Sequence, residues 1–276
     1  MNKSEKLNID EVMCLLMAGM STPQILETDV NRFDRLYAAN EDDYEELIEQ
    51  ANSILDRQER LGIVSLSCQD DDFPARLRAI GADCPAVIHC LGNLSLLNRE
   101  RAVAVIGARS ADAEGLRAAY SVAERYARSG HVIVSGLAIG CDTAAHRAAL
   151  TCGGDTIAIV ATGLDRIHPR ESEALQADIL RSGGLIISEQ PIGVKANPTR
   201  LVARNRLQAA LSEAVILAQC PAKSGSLHTM RFAAKYHKQR YAIAFPVTTP
   251  SNQGNHNLLQ NNPETVLSIS VNALSN

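Results

Sequence analysis

From Val103 onward, short apolar runs alternate with amphipathic stretches. The runs are Val103–Ile106, Val132–Val134, Thr156–Val160, Leu185–Ile187, Ala214–Ala218 and Tyr241–Phe245. Segments with helical spacing separate them: about 113–129, a stretch starting near Asp142, then Glu171–Ser182, Ala203–Leu211 and Thr229–His237. An apolar run that stops at glycine and is followed by a helix is the β-turn-α unit of a parallel sheet, buried on both faces. Repeated at this spacing, it predicts an α/β fold with a doubly wound, mostly parallel, Rossmann-like sheet. Ahead of the sheet, Ile9, Val12, Met13, Leu16 and Met17 recur at helical spacing. A second short helix restarts at Thr22-Pro23, with Thr22 as its cap, and a third covers Tyr44–Leu61. The expected organisation is a small acidic helical module over 1–60 and a Rossmann-like domain over 61–276. The latter divides into a lead-in (61–100, with strands near Ile63–Leu66 and Pro85–Leu91), a sheet core (101–246) and a tail (247–276). The tail is rich in Asn, Gln and Ser and is expected to wrap over the sheet.

Ligands of such sheets bind at the carboxyl ends of the strands, where this chain places its glycine turns. The first is Gly107-Ala108-Arg109-Ser110, and the second is Ser135-Gly136-Leu137-Ala138-Ile139-Gly140, leading into a helix near Asp142. The third strand ends at Thr162-Gly163, and Lys223-Ser224-Gly225-Ser226 precedes a helix opened by Thr229. A dinucleotide site is excluded. After Gly107 the next glycine is Gly115, so G-x-G-x-x-G is absent, and the second strand ends in Ser135-Gly136 rather than a carboxylate. No G-x-x-x-x-G-K-[ST] occurs either. The turns still suit phosphate: glycine admits close backbone approach, helix N-termini favour anions, and Arg109 offers a forked donor. Arg204-Asn205-Arg206 adds positive charge. Several such turns on one sheet edge make a row, and a row of phosphate sites suits a strand of nucleic acid.

Net charge is −4, which by itself does not point to nucleic acid, but its distribution does. Residues 1–60 carry 14 Asp/Glu and 6 Lys/Arg, a balance of −8; residues 195–240 carry 9 Lys/Arg and one acid, Glu213, a balance of +8. A basic block in an acidic protein predicts an anionic partner on one face. Aromatics make up 4% and Trp is absent, so stacking platforms are scarce. The seven cysteines form no C-x-x-C pair, which argues against a disulfide framework and a zinc site. No apolar stretch is long enough to span a membrane and no secretory leader pattern opens the chain, so a cytoplasmic location is expected.

The row of turns resembles the DNA processing protein A (DprA/Smf) family. Gly107–Ser110 is similar to the family's Gly-Ser-Arg turn, and Ser135–His146 to its Ser-Gly-Leu-Ala-x-Gly-Ile-Asp…Ala-His motif. Arg204-Asn205-Arg206, Ser224–Leu227 and Gly254-Asn255 match in order and rough spacing, as does the lead-in from Asp72-Phe73-Pro74 to Gly92-Asn93. The resemblance covers roughly Leu61–Leu259. It implies a homodimer that binds single-stranded DNA without reading bases, protects incoming DNA and loads a RecA-type recombinase during natural transformation. No cofactor and no metal are expected. Arg109 would clamp phosphate, and the Ser135–Gly140 and Ser224–Ser226 turns would supply backbone donors. The chain departs from the pattern at Leu201-Val202 (usually Phe-Pro), Gln219 (usually acidic), Cys141 (usually Ile) and His168 (usually aromatic), and no winged helix follows the sheet, though many members carry one.

Two other readings compete. Nucleotide phosphoribohydrolases of the lysine-decarboxylase-like group need Pro-Gly-Gly-x-Gly-Thr-x-x-Glu; here the corresponding stretch runs Ser224–Phe232 without the glutamate. Glu189 stands at a strand end but nothing in the sequence pairs it with a base or nucleophile; His146 is expected to pack and His228 to contact phosphate. A nucleotide-sensing module would use the same pocket for a mononucleotide.

Overall fold

The computed structural model describes residues 6–274; residues 1–5 of the expected module and 275–276 of the expected tail lie outside the described residues. Helices α1 (Ile9–Met17), α2 (Thr22–Leu26), α3 (Val30–Ala39) and α4 (Glu41–Arg60) come first. The lead-in follows as β1 (Val64–Ser67), α5 (Ala75–Arg78) and β2 (Val87–Gly92). The alternating core is β3 (Ala102–Ile106), α6 (Ala113–Arg128), β4 (Val132–Ser135), α7 (Cys141–Thr151), β5 (Thr156–Val160), α8 (Glu173–Arg181) and β6 (Leu185–Ser188). It continues through α9 (Pro198–Ala203), α10 (Asn205–Leu211), β7 (Ala214–Leu217), α11 (Ser226–Lys235) and β8 (Gln239–Ala244), and ends with α12 (Gln253–Asn261) and β9 (Leu267–Ser270).

The strands form one nine-stranded sheet in the order β1-β2-β6-β5-β4-β3-β7-β8-β9. All neighbours are parallel except β1–β2 and β2–β6. The expected doubly wound, mostly parallel sheet is therefore present. Strand residues alternate between the two faces: Val103 and Val105 of β3 meet the alanines of α6 and α7, while Ala102, Ala104 and Ile106 join the opposite core. Small residues such as Ala118, Ala119, Ala145 and Ala148 let those two helices lie close to the sheet. From β3 the chain winds outward one way through β4, β5 and β6, then returns to the other side of β3 as β7. The switch point therefore lies between β3 and β7, and their carboxyl ends frame a crevice.

The N-terminal helices cover β1 and β2 and share the core beneath them; Val12, Leu15 and Phe33 are continuous with Ile88 and Ile106. Amide clamps fix this arrangement. Gln69 donates to the carbonyls of Ile25 and Thr28 at 2.8 and 2.9 Å and accepts from the Leu7 N–H at 2.9 Å. Gln58 donates to His89 Nδ1 at 3.0 Å and accepts from the Ile192 N–H at 3.2 Å. Ser65 Oγ also lies 2.8 Å from Nδ1 and accepts from Gln58 at 2.7 Å, so the ring is enclosed by neutral partners, which favours its neutral form. Burial pushes this imidazole down to about 4.

Several expectations need correction. α3 had no expected counterpart: it is held by Asp29, which accepts from the Arg32 N–H, and by Phe33 packing with Tyr37 and Tyr44. Ser21, not Thr22, caps α2, in a box with Gln24. The expected Ala203–Leu211 helix is the second of two short helices, divided at Arg204. α11 opens at Ser226 rather than Thr229, so Thr229 lies inside the helix, buried. The tail does more than wrap over the sheet: α12 packs on it, with Asn255 donating to the Ile243 carbonyl and Leu258 and Leu259 joining the core, and β9 then extends it in parallel with β8.

Candidate functional site

At the switch point the loops after β3 and β7 enclose a cavity of about 360 Å³ together with α9, α10 and the start of α7. Gly107 and Gly140 allow these pieces to interlock. A Cβ on Gly107 would fall on Cys141 and the Gln219 carbonyl, so only a bare α-carbon lets α7 and the β7 loop close over β3. Ala108 donates to the Gln219 carbonyl at 2.8 Å, and Cys141 donates to the Ala108 carbonyl at 3.2 Å. Gly140 has φ 86° and ψ −129°, and its Cβ would overlap the carbonyl oxygens of Ala108 and Arg109. That region of backbone space is essentially closed to other residues. Gly140→Ala is therefore expected to cost about 2 kcal/mol or more, and to displace the Arg109 turn. Urea unfolding measures the cost, and an unchanged midpoint would show that the interlock tolerates a side chain.

Arg109 stands exposed on the cavity wall, and so does Lys223 on the β7 loop. Neither pairs with an acid among the described residues. Ser110, Ser224, Gly225 and Ser226 line the same cavity, as does Thr229 from within α11, where its hydroxyl meets Gln208 at 3.4 Å. Asn205 reaches in from α10, and its amide lies 3.4 Å from the Gly225 carbonyl.

Arg204 has a different role from an open surface cation. It is 8% exposed, and its Nη1 donates to the Gly136 carbonyl at 2.6 Å and to the Ile159 carbonyl; Nε donates to Asn205 Oδ1 at 3.1 Å. It ties the ends of β4 and β5 to α10 and also lines the cavity. Beside it, buried Asp142 accepts from the N–H groups of Gly136 and Ala138 at 3.2 and 3.4 Å. Burial pulls the Asp142 carboxyl up and the Arg204 guanidinium down, and each opposes that pull on the other. Two of the expected backbone donors of the Ser135–Gly140 turn, Gly136 and Ala138, are thus already used within the protein. Ser135 donates to the Val105 carbonyl at 2.7 Å, and Leu137 is fully buried at φ 57°. Of that turn, Ala138 and the adjoining Asp142 face the cavity.

Besides Ser135, Gly136, Leu137 and Gly140, two more expected residues lie outside the cavity lining. Gly163 donates to the Val194 carbonyl at 2.9 Å and packs on Pro191. Arg206 forms a forked ion pair with Glu189 (Nη1 to Oε2, 2.8 Å) and donates through Nε to the Asp83 carbonyl at 2.8 Å. The same pairing leaves Glu189, the carboxylate a hydrolase would have needed, engaged with a cation rather than free.

Two residues carry roles that sequence reading missed. Asn255 of α12 accepts from the Cys220 N–H at 2.9 Å and donates to the carbonyls of Leu217, Ala218 and Ile243, locking the ends of β7 and β8. Gln219 accepts from the Asp112 N–H at 3.0 Å and donates to the Asp112 side chain at 2.9 Å, which in turn caps α6. In the sequence Asn255 stood out only as part of the Gly254-Asn255 motif, and Gln219 only as a departure from an acidic position.

His146 is fully buried. Thr156 Oγ1 donates to the Ile133 carbonyl, so it accepts from His146 Nδ1 at 2.7 Å, which places the proton on Nδ1. Burial, with the Arg204 charge, pushes this ring down to about 3. Both His89 and His146 are thus neutral when folded and protonate near 6.5 when unfolded. Their stabilisation is complete above that value and is lost as pH falls toward the folded-state values. Between pH 7 and pH 5 the loss is about 2 kcal/mol per histidine. Urea unfolding at the two pH values should show it, with the slope roughly halved in His89→Gln; equal stability at both would refute the neutral assignment.

Among the described residues, no helix is long and apolar enough to cross a membrane, and no group of three His, Cys, Asp or Glu side chains could hold a metal ion.

The model of the family described as DNA recombination-mediator protein A matches residues 65–274. The Smf protein of Synechocystis sp. is 34% identical over 234 residues, covering 81% of this chain and 58% of that protein, so the chain spans little more than half of that relative. DNA processing protein DprA of Streptococcus pneumoniae is 38% identical over 204 residues, 74% of this chain and 71% of that protein. The X-ray structure of DprA from the same species superposes with a TM-score of 0.80 at 31% identity, covering 98% of both chains. The structure of DNA processing protein A from Helicobacter pylori, described for its single-stranded DNA binding mode, gives a TM-score of 0.66 at 30% identity over 77% of this chain and 92% of that one.

Proposed function

Since this chain belongs to the DNA recombination-mediator protein A family, we propose that its cavity binds the backbone of single-stranded DNA, in the cytoplasm, for handover to a RecA-type recombinase during natural transformation. It acts in this reading as a homodimer and by binding rather than catalysis. One observation carries it: Arg109 and Lys223, both exposed and without an acidic partner among the described residues, line the same cavity as the fixed guanidinium of Arg204. Hydroxyls and a helix N-terminus at Ser224–Ser226 complete a donor-rich wall. Site residues proposed for DNA contact are Gly107, Ala108, Arg109, Ser110, Ala138, Arg204, Asn205, Lys223, Ser224, Gly225, Ser226 and Thr229. An unpaired strand can fold its backbone into such a hollow, whereas a stiff duplex cannot. The donors address phosphate, so binding is independent of base sequence.

Fluorescence anisotropy of labelled oligo-dT across a salt series tests this reading, with duplex DNA and mononucleotides as competitors. Tight, salt-sensitive binding that neither competitor displaces is the expected result. No binding at low salt would overturn it, and displacement by one mononucleotide would redirect the site to nucleotide sensing or hydrolysis.

A further inference from the structure

A second hollow, of about 180 Å³, lies on the other side of the β7 loop from the cavity. Pro221 and Lys223–Ser226 line the cavity, while Ala222 and Leu227, in the same stretch, line the hollow. The two are therefore neighbours separated by one loop, with Lys223 belonging to that loop. Arg231 faces the second hollow one helical turn beyond Leu227, on the same side of α11. Arg231 is exposed and forms no ion pair among the described residues. Opposite it stand Asn257, Asn261 and Asn262 around α12. Gln253 donates to Asn257 Oδ1 at 2.7 Å and so orients the Asn257 amide, whose nitrogen is a donor, while Asn262 donates to the Leu258 carbonyl at 3.0 Å. No carboxylate lines this hollow. Its polar groups are thus one cation and neutral amides, with Leu227 and Leu258 as an apolar floor.

We infer that this hollow is a second nucleotide site, taking the next stretch of the same DNA strand as it leaves the cavity over Lys223. The inference rests on the proposed function and extends it. Arg231 would hold a phosphate, the Asn257 amide would donate to a phosphate or a base carbonyl, and the leucines would meet sugar or base. Continuity through the shared loop, together with a cation that no protein acid neutralises, favours the strand over an unrelated ligand.

The test compares oligo-dT of increasing length, from about 4 to about 16 nucleotides, the range of single-strand site sizes. Wild type, Arg231→Ala, Asn257→Asp, Arg109→Ala and a control, Arg117→Ala on α6, are measured by anisotropy. Wild-type affinity should rise with length. Arg231→Ala should leave the shortest oligomer's affinity unchanged, remove about 5-fold from the longer ones at 0.1 M salt, and reduce their salt slope by about 0.7. Asn257→Asp, which places a carboxylate in the hollow, should act in the same direction. Arg109→Ala should weaken every length, and Arg117→Ala none. If Arg231→Ala matches wild type at all lengths, or weakens the shortest oligomer as much as the longest, the second site is refuted while the cavity reading stands. If wild type binds no oligomer, the cavity reading fails and the second site falls with it.

Discussion

Arg204→Met is expected to destabilise the protein by about 3–5 kcal/mol, the cost of removing one partner of a buried charged pair. The guanidinium satisfies the carbonyls of Gly136 and Ile159 and lies beside the buried Asp142 carboxylate. Methionine fills much of the space but leaves two carbonyls without donors and a buried charge without its counterpart. The measurement is urea unfolding, with midpoint and slope compared to wild type. Adding Asp142→Asn should recover part of the loss, because an amide oxygen can still accept from Gly136 and Ala138 without carrying charge. A change within about 0.5 kcal/mol would show that Arg204 is not the brace its geometry indicates, since ordinary surface replacements fall in that range. DNA binding should fall as well, because the walls of the cavity are set by this tie between β4, β5 and α10.

The second large effect should leave stability untouched. Arg109 and Lys223 are both exposed and carry no protein partner. Counterion release gives each single-strand phosphate contact a slope of about −0.7 in log affinity against log salt, about 5-fold at 0.1 M. Replacing both residues with alanine should therefore reduce affinity for oligo-dT about 25-fold and lower the slope by about 1.4, with no shift in unfolding midpoint. Lysine at position 109 should keep the slope and lose part of the affinity, because a point charge does not reproduce the fork. Weaker binding with an unchanged slope would mean these residues act on bases or on folding, not on phosphates.

The contrast between these two predictions marks what local sequence can and cannot convey. Arg109, Arg204 and Arg206 read alike along the chain: each is a cation near a glycine turn or a helix start. In the folded protein Arg109 is free, Arg204 is an internal brace reaching Gly136, and Arg206 is neutralised by Glu189. Asp142 shows the same limit. It stands at a helix start that sequence reading assigned to an anionic ligand, and it accepts from two N–H groups of that turn itself.

The sequence by itself determined the class of fold, the order of β3–β8, and the placing of glycine turns at strand ends. These follow from the period and length of apolar runs, which reflect burial of adjacent residues and need no knowledge of distant partners. It also carried the family resemblance, since motif order survives without coordinates. It did not determine α3, whose helix depends on Asp29 and on Phe33 packing with Tyr37 and Tyr44, nor the edge strand β9, whose pairing with β8 decides its state. Only the tertiary structure decided which charges remain available. A side chain's partner can lie scores of residues away, and the low dielectric of the interior makes that partner, rather than the neighbours in sequence, set whether a charge braces the fold or faces a ligand.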